Sequence, residues 1–130
     1  DLATPKGTFK LGMFYYRKDR IRILKSQIKK TKIKKNMGWC YDVNSKKYNH
    51  QIKFPFKYKA EKLYRNDNIY DLFINIKYNY NPTIKGKGSA IFLHLAKKNY
   101  SPTKGCVAIS KKDFLKIISL IKKKTKITIS

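Results

Sequence analysis

Gly88-Ser89-Ala90-Ile91-Phe92-Leu93-His94 is an apolar run that ends on a histidine. Twelve residues after that histidine, behind Thr103-Lys104-Gly105, a second run opens as Cys106-Val107-Ala108-Ile109. Two short apolar runs with glycine at their flanks read as neighbouring strands, Ser89–Ala96 buried and Cys106–Ile109 short. Strand ends are where a fold can present a thiol and an imidazole side by side. A thiolate nucleophile needs a base or cation to lower its pKa from about 8.5, and N–H groups near the sulfur to hold an oxyanion. Gly105, directly before the cysteine, lets backbone approach a substrate carbonyl closely. Cys106 as nucleophile and His94 as base are therefore the candidate catalytic pair. The structural readings of the same two residues are a small buried hydrophobe and a satisfied core histidine.

The remaining chain reads as a mostly-β domain with one main helix near its C-terminus, residues 1–130 forming a single unit large enough for a hydrophobic core. Thr8–Tyr16 alternates and places Phe9, Leu11, Met13 and Tyr15 on one face of a strand, behind the turn residues Thr4-Pro5-Lys6-Gly7. Residues 17–37 are basic and weakly patterned, which predicts an exposed excursion. Asn36–Ser45 carries turn residues around Trp39 and Tyr41 and reads as a structured loop. Gln51–Phe56 is a short strand stopped by Pro55. Asp71–Tyr78 is a strand with Leu72, Ile74 and Ile76 set against Phe73, Asn75 and Lys77. Asn79–Gly88 and Lys97–Gly105 are loops. Lys111–Lys123 is the helix, with Ser110 and Asp113 as its capping pair and Phe114, Ile117, Ile118 and Ile121 on one face. Thr125–Ile129 alternates as a last strand.

The formal net charge is +25, and all but four of the 32 basic residues are lysine. Phosphate- and base-reading surfaces lean on the bidentate fork of arginine, so this balance argues against nucleic acid. It suits a solubilising background or attraction to anionic wall polymers. Cys40 and Cys106 make no zinc pattern, and no metal or cofactor is expected; a Cys40–Cys106 disulfide is possible on counting grounds but would consume the proposed nucleophile, so free thiols are preferred. No apolar run approaches the ~20 residues of a membrane span. Because the chain starts on Asp1, a trimmed or processed N-terminus is expected.

Gly86–His94 with Thr103-Lys104-Gly105-Cys106-Val107 resembles the active-site signature of the L,D-transpeptidase catalytic domain family (YkuD-like), bacterial cell-wall enzymes with a cysteine on a β-sandwich-like core. Thr4-Pro5-Lys6-Gly7-Thr8-Phe9 resembles that family's early turn. Gly38-Trp39-Cys40-Tyr41-Asp42, Tyr64–Asp71 and Tyr78-Asn79 are similar to one compact proteobacterial branch. Lys104 stands where the family usually has histidine, and Ala108 where it commonly has Arg or Asn. The resemblance implies Cys106 as nucleophile, His94 as base, and the backbone N–H groups of Gly105 and Cys106 as the oxyanion hole. The substrate would be peptidoglycan stem peptides and the location the bacterial envelope, periplasmic in a Gram-negative cell. Substrate-binding candidates are Ser89, Tyr78, Asn79, Arg65, Thr103, Lys104 and Trp39. Five of these have a structural reading as well: a turn for Ser89, hydrogen bonding for Tyr78 and Asn79, an ion pair with Asp67 or Asp71 for Arg65, and a loop anchor for Trp39. The competing functions are a peptidoglycan peptide hydrolase on the same fold and a catalytically dead basic binding module for anionic polymer or nucleic acid.

Overall fold

The computed structural model of the chain describes residues 4–22, 26–80, 82–96 and 107–130. Nine strands and one helix run through the described residues: β1 (Gly7–Tyr16), β2 (Lys30–Lys32), β3 (Met37–Cys40), β4 (Gln51–Lys53), β5 (Ala60–Lys62), β6 (Leu72–Ile76), β7 (Phe92–Leu95), β8 (Val107–Ile109), α1 (Lys111–Ile118) and β9 (Lys126–Ile129). The protein is mainly β with one helix near the C-terminus, as its sequence patterning predicts. Six strands form one sheet in the order β2-β1-β6-β7-β8, with β9 against the first half of β1; the other three form a small sheet, β4-β3-β5.

Alternation along the central strands gives the large sheet two different faces. Leu72, Ile74, Ile76, Leu93 and Leu95 point to one side, where they pack with Phe14, Phe114, Ile118 and Ile121. Phe73, Phe92 and Tyr15 point to the other, where they pack with Met37, Trp39, Leu63 and Tyr70. The helix therefore covers one face and the small sheet the other. Asp113 N–H donates to Ser110 Oγ at 3.2 Å, so the capping pair starts the helix where predicted. The helix ends at Ile118, short of the predicted Lys123, because the chain must turn at Lys122–Thr125 to return as β9 beside Gly7–Lys10.

Three expectations are corrected. First, Phe9 and Leu11 pack on the helix side, whereas Met13 and Tyr15 pack on the opposite side. A β-bulge between Leu11 and Phe14 inserts one residue, and an odd insertion exchanges the two faces. Gly12 sits in this bulge; a Cβ there would stand 3.1 Å from the carbonyl oxygen of Asn75. Second, the basic segment 17–37 is not simply an exposed excursion: Arg17, Ile21 and Ile33 are buried, and β2 lies parallel to β1. Third, Met37–Cys40 is no loop but the central strand of the small sheet, buried at all four positions. A Cβ on Gly38 would come within 2.6 Å of the Phe54 ring, so glycine is what lets the chain pass there. The strand Ala60–Lys62 carries no apolar alternation and was invisible to the pattern. The predicted loop Lys97–Gly105 and position 106 lie outside the described residues.

Candidate active site

β7 is the second strand from one end of the large sheet, and its register places His94 opposite Phe73 of β6 and Ala108 of β8. Ala108 is two residues beyond Cys106 in the sequence. His94 lies on the same face as Phe92, toward the small sheet, and is 2% exposed. Its Nδ1 is 2.7 Å from the carbonyl oxygen of Leu95. A carbonyl only accepts, so Nδ1 carries the hydrogen and Nε2 holds the lone pair of the neutral ring. That is the tautomer a general base requires, with backbone in the orienting role often taken by a carboxylate.

The ring of Tyr70 meets the His94 ring edge-on, with centroids 5.6 Å apart. Tyr70 in turn donates its hydroxyl to Glu61 Oε1 on β5. Arg65 holds Asp67 through two parallel bonds, 2.9 Å from Nε and 2.6 Å from Nη2, and its guanidinium lies 5.5 Å from the centre of the Tyr70 ring. The side-chain hydrogen bond to Asp67 raises the Arg65 pKa above its ordinary value, against a smaller opposing effect of desolvation.

Two arginines of the basic segment tie this corner together. Buried Arg17 donates to the Arg65 carbonyl at 2.8 Å, grips Asp19 with two bonds and stacks over Tyr64 at 3.6 Å. Arg20 reaches the carbonyls of Asp67 and Asn66 and pairs with Asp71 at 2.9 Å. Asp71 also accepts from Asn68 at 2.8 Å. The Tyr64–Asp71 stretch is thus a knot that presents Tyr70 to His94. Arg17 is buried and Arg20 is 27% exposed, and each guanidinium is paired with an aspartate of the same corner.

A second brace lies at the start of β7. Asn49, 6% exposed, takes the Trp39 indole N–H at 3.0 Å and the Ala90 N–H at 3.1 Å on its Oδ1. Its Nδ2 donates to the carbonyls of Tyr78 and Asn79, at 3.3 and 2.9 Å. The Tyr48 hydroxyl accepts from Gly88 N–H at 3.1 Å. Asn49 and Asn79 both take left-handed backbone (φ 59° and 53°), which asparagine tolerates. Ala90, at φ 54°, is a left-handed residue without that excuse, and the Asn49 bond to its N–H helps hold it.

The candidate binding residues separate by position. Tyr78 sets its ring against Phe9 and donates to the Lys87 carbonyl at 3.1 Å. Asn79 closes the 79–88 loop, donating to the carbonyls of Ile84 and Gly88 and accepting from Ile84 N–H at 2.7 Å. Ser89 is buried one residue before the strained Ala90. Trp39 is an interior anchor, edge-on to Phe92 and Tyr15 and bonded to Asn49. Cys40 is a free buried thiol. Thr103, Lys104, Gly105 and Cys106 fall outside the described residues. Glu61, Tyr70 and Asn49 escaped the sequence reading. Only the turn-forming habit of asparagine hinted at the last, and the other two acquire meaning through partners on separate strands.

Among the described residues no cluster of three or more His, Cys, Asp or Glu could hold a metal, and no helix is long and apolar enough to cross a membrane. No curated protein and no solved structure matches the chain. The family model of the L,D-transpeptidase catalytic domain, YkuD, matches residues 1–129. From its first residues to its last strand, then, this chain belongs to the L,D-transpeptidase catalytic domain family.

Proposed function

We propose that the chain is a cysteine-dependent peptidoglycan L,D-transpeptidase, with Cys106 as nucleophile and His94 as its base. The observation that carries the reading is the family match over residues 1–129, together with a buried His94 whose Nδ1 is oriented by backbone on the strand paired with β8. Chain connectivity ties position 106 to Val107, which pairs with Leu93 beside His94.

The reaction divides into two acyl transfers. His94 Nε2 takes the Cys106 thiol proton, and the sulfur attacks the carbonyl between the third residue of a stem peptide and D-Ala. The oxyanion is held by the N–H groups of Gly105 and Cys106. The tetrahedral adduct collapses, the C–N bond breaks, and the imidazolium returns its proton to the departing D-Ala amine. The amine of a second stem then attacks the thioester and loses its proton to His94, and the thiol is released with a new amide formed. Peptidoglycan in the bacterial envelope is the substrate in this reading, and the lysine-rich surface assists by attraction to anionic wall polymers.

The test incubates wild type and Cys106→Ala with disaccharide-tetrapeptides, following intact mass, free D-Ala and dimers. D-Ala release with dimers from the wild type alone is expected, with at least a ~10³-fold loss in the mutant. D-Ala release without dimers would mean that water resolves the acyl-enzyme. Equal inertness of both proteins, with no adduct on the thiol, would overturn the enzyme reading.

A further inference from the structure

Acids are scarce in this chain, seven against 32 bases, and the described aspartates show where most of that charge goes. Asp19, Asp67 and Asp71 pair with Arg17, Arg65 and Arg20 at 2.7, 2.6 and 2.9 Å. Asp42 accepts the backbone N–H groups of Asn44 and Lys59. Asp113 lies in the first turn of α1, where the helix dipole favours an anion. Glu61 is different. It forms no ion pair among the described residues, and Tyr70 is its hydrogen-bond partner, at Oε1. No buried side-chain oxygen or nitrogen among the described residues lacks a partner, so Oε2, which has none, reaches solvent.

Glu61 is also placed at the site. The tyrosine it holds is the one whose ring meets His94. Adding the hydroxyl's reach and one hydrogen bond to the 5.6 Å ring separation puts the nearer carboxylate oxygen within about 11 Å of the imidazole centre, the length of about three extended residues. Arg65 is the cation facing this corner, and its charge is matched by Asp67, so Glu61 leaves the wall locally negative on a chain of net +25. Desolvation raises the Glu61 pKa from its ordinary value, while the Tyr70 hydrogen bond and the Arg65 charge oppose that rise. A bound cation would favour the ionised form in the same way.

We propose that Glu61 is a cation subsite of the active site, with Oε2 receiving the side-chain ammonium of the diamino acid at the third position of the donor stem. The assignment rests on the transpeptidase reading. Tyr70 is the positioning residue: it orients the carboxylate on one side and borders His94 on the other. An ammonium there is charge-complementary, and the same corner disfavours a donor whose side-chain nitrogen is acylated.

Two tetrapeptide donors separate this idea from its parent, one with the third-residue side-chain amine free and one with it acetylated. Binding is measured on the Cys106→Ala chain, with and without Glu61→Gln, and D-Ala release is measured separately on the wild type. The subsite predicts that Cys106→Ala binds the free-amine donor at least about tenfold tighter than the acetylated one, and that adding Glu61→Gln removes this preference. Glutamine still accepts from Tyr70, so the fold keeps its tether. Tyr70→Phe, which keeps the ring and loses the tether, should weaken the preference less than Glu61→Gln. Equal binding of the two donors, or an equal loss of both on Glu61→Gln, would overturn the subsite. A wild type that releases no D-Ala from either donor sinks the transpeptidase reading, while the binding comparison still decides whether Glu61 selects an ammonium.

Discussion

On the helix side of the six-stranded sheet, Leu72, Ile74, Ile76, Leu93 and Leu95 meet Phe14, Phe114 and Ile118, and the contacts are between hydrocarbon side chains. On the opposite side Tyr15, Phe73 and Phe92 meet Trp39 and Tyr70, and three of these five rings carry a polar tip. Tyr15 donates to Gln51, Trp39 to Asn49 and Tyr70 to Glu61. The first face gains burial energy and little orientational demand, because hydrocarbon contact is non-directional. The second gains similar burial but must also satisfy each N–H and O–H, and hydrogen bonds are directional. His94 stands on the second face, where its ring is held at a defined angle.

Substitutions on the two faces should therefore fail in different ways. The largest effect belongs to His94→Gln, which should lower D-Ala release by about 10²–10⁴-fold and move the unfolding midpoint little. A large stability loss with unchanged turnover per folded molecule would return His94 to the role of core histidine. Phe114→Ala tests the other face: it should cost about 3–5 kcal/mol of stability by urea denaturation, with turnover of the folded fraction preserved. Loss of turnover without destabilisation would show that the aliphatic face also shapes the site.

Asn49→Ala sharpens the contrast, since it removes polar bracing without opening a large void. It leaves the Trp39 and Ala90 N–H groups without their acceptor and should cost about 2–4 kcal/mol, with activity falling beyond the folded fraction. Asn49→Asp keeps the acceptor but sets a carboxylate oxygen against the Tyr78 and Asn79 carbonyls in a buried site, so it should fail to restore wild-type stability. The smallest effect is alkaline. Burial raises the Tyr15 hydroxyl to about 12, from 10 when unfolded. A raised pKa contributes stability that is complete below pH 10 and is lost as pH rises through 12. The loss should be about 2 kcal/mol over that window, and Tyr15→Phe should abolish this part of the pH dependence. An unchanged alkaline profile in Tyr15→Phe would show that the hydroxyl ionises no differently in the folded state.

Elements with a local signature were readable in advance. The Ser110–Asp113 cap, the alternation of Leu72–Ile76 and the apolar run into His94 each depend on residues within a few positions of one another. The face of Met13 and Tyr15 was misread, because the bulge that exchanges faces arises from the fit of Gly12 against Asn75 on another strand. Met37–Cys40 passed for a loop because a short strand covered on both sides needs neither alternation nor length.

The mostly-β class, the helix behind its Ser110 cap and the family are all legible along the chain, where the proposed histidine–cysteine pair is read as well. These follow from periodicity, capping and motif, which are properties of neighbouring residues. The surroundings of His94 arise on folding: the Leu95 carbonyl at its Nδ1, the edge of Tyr70, the Tyr70–Glu61 bond, and the Asn49 and Arg17 braces. Most of those partners lie far apart in the chain, 48 residues for Arg17 and Arg65 and 41 for Asn49 and Ala90. A directional bond over such a separation exists only once strand register has brought its two ends together.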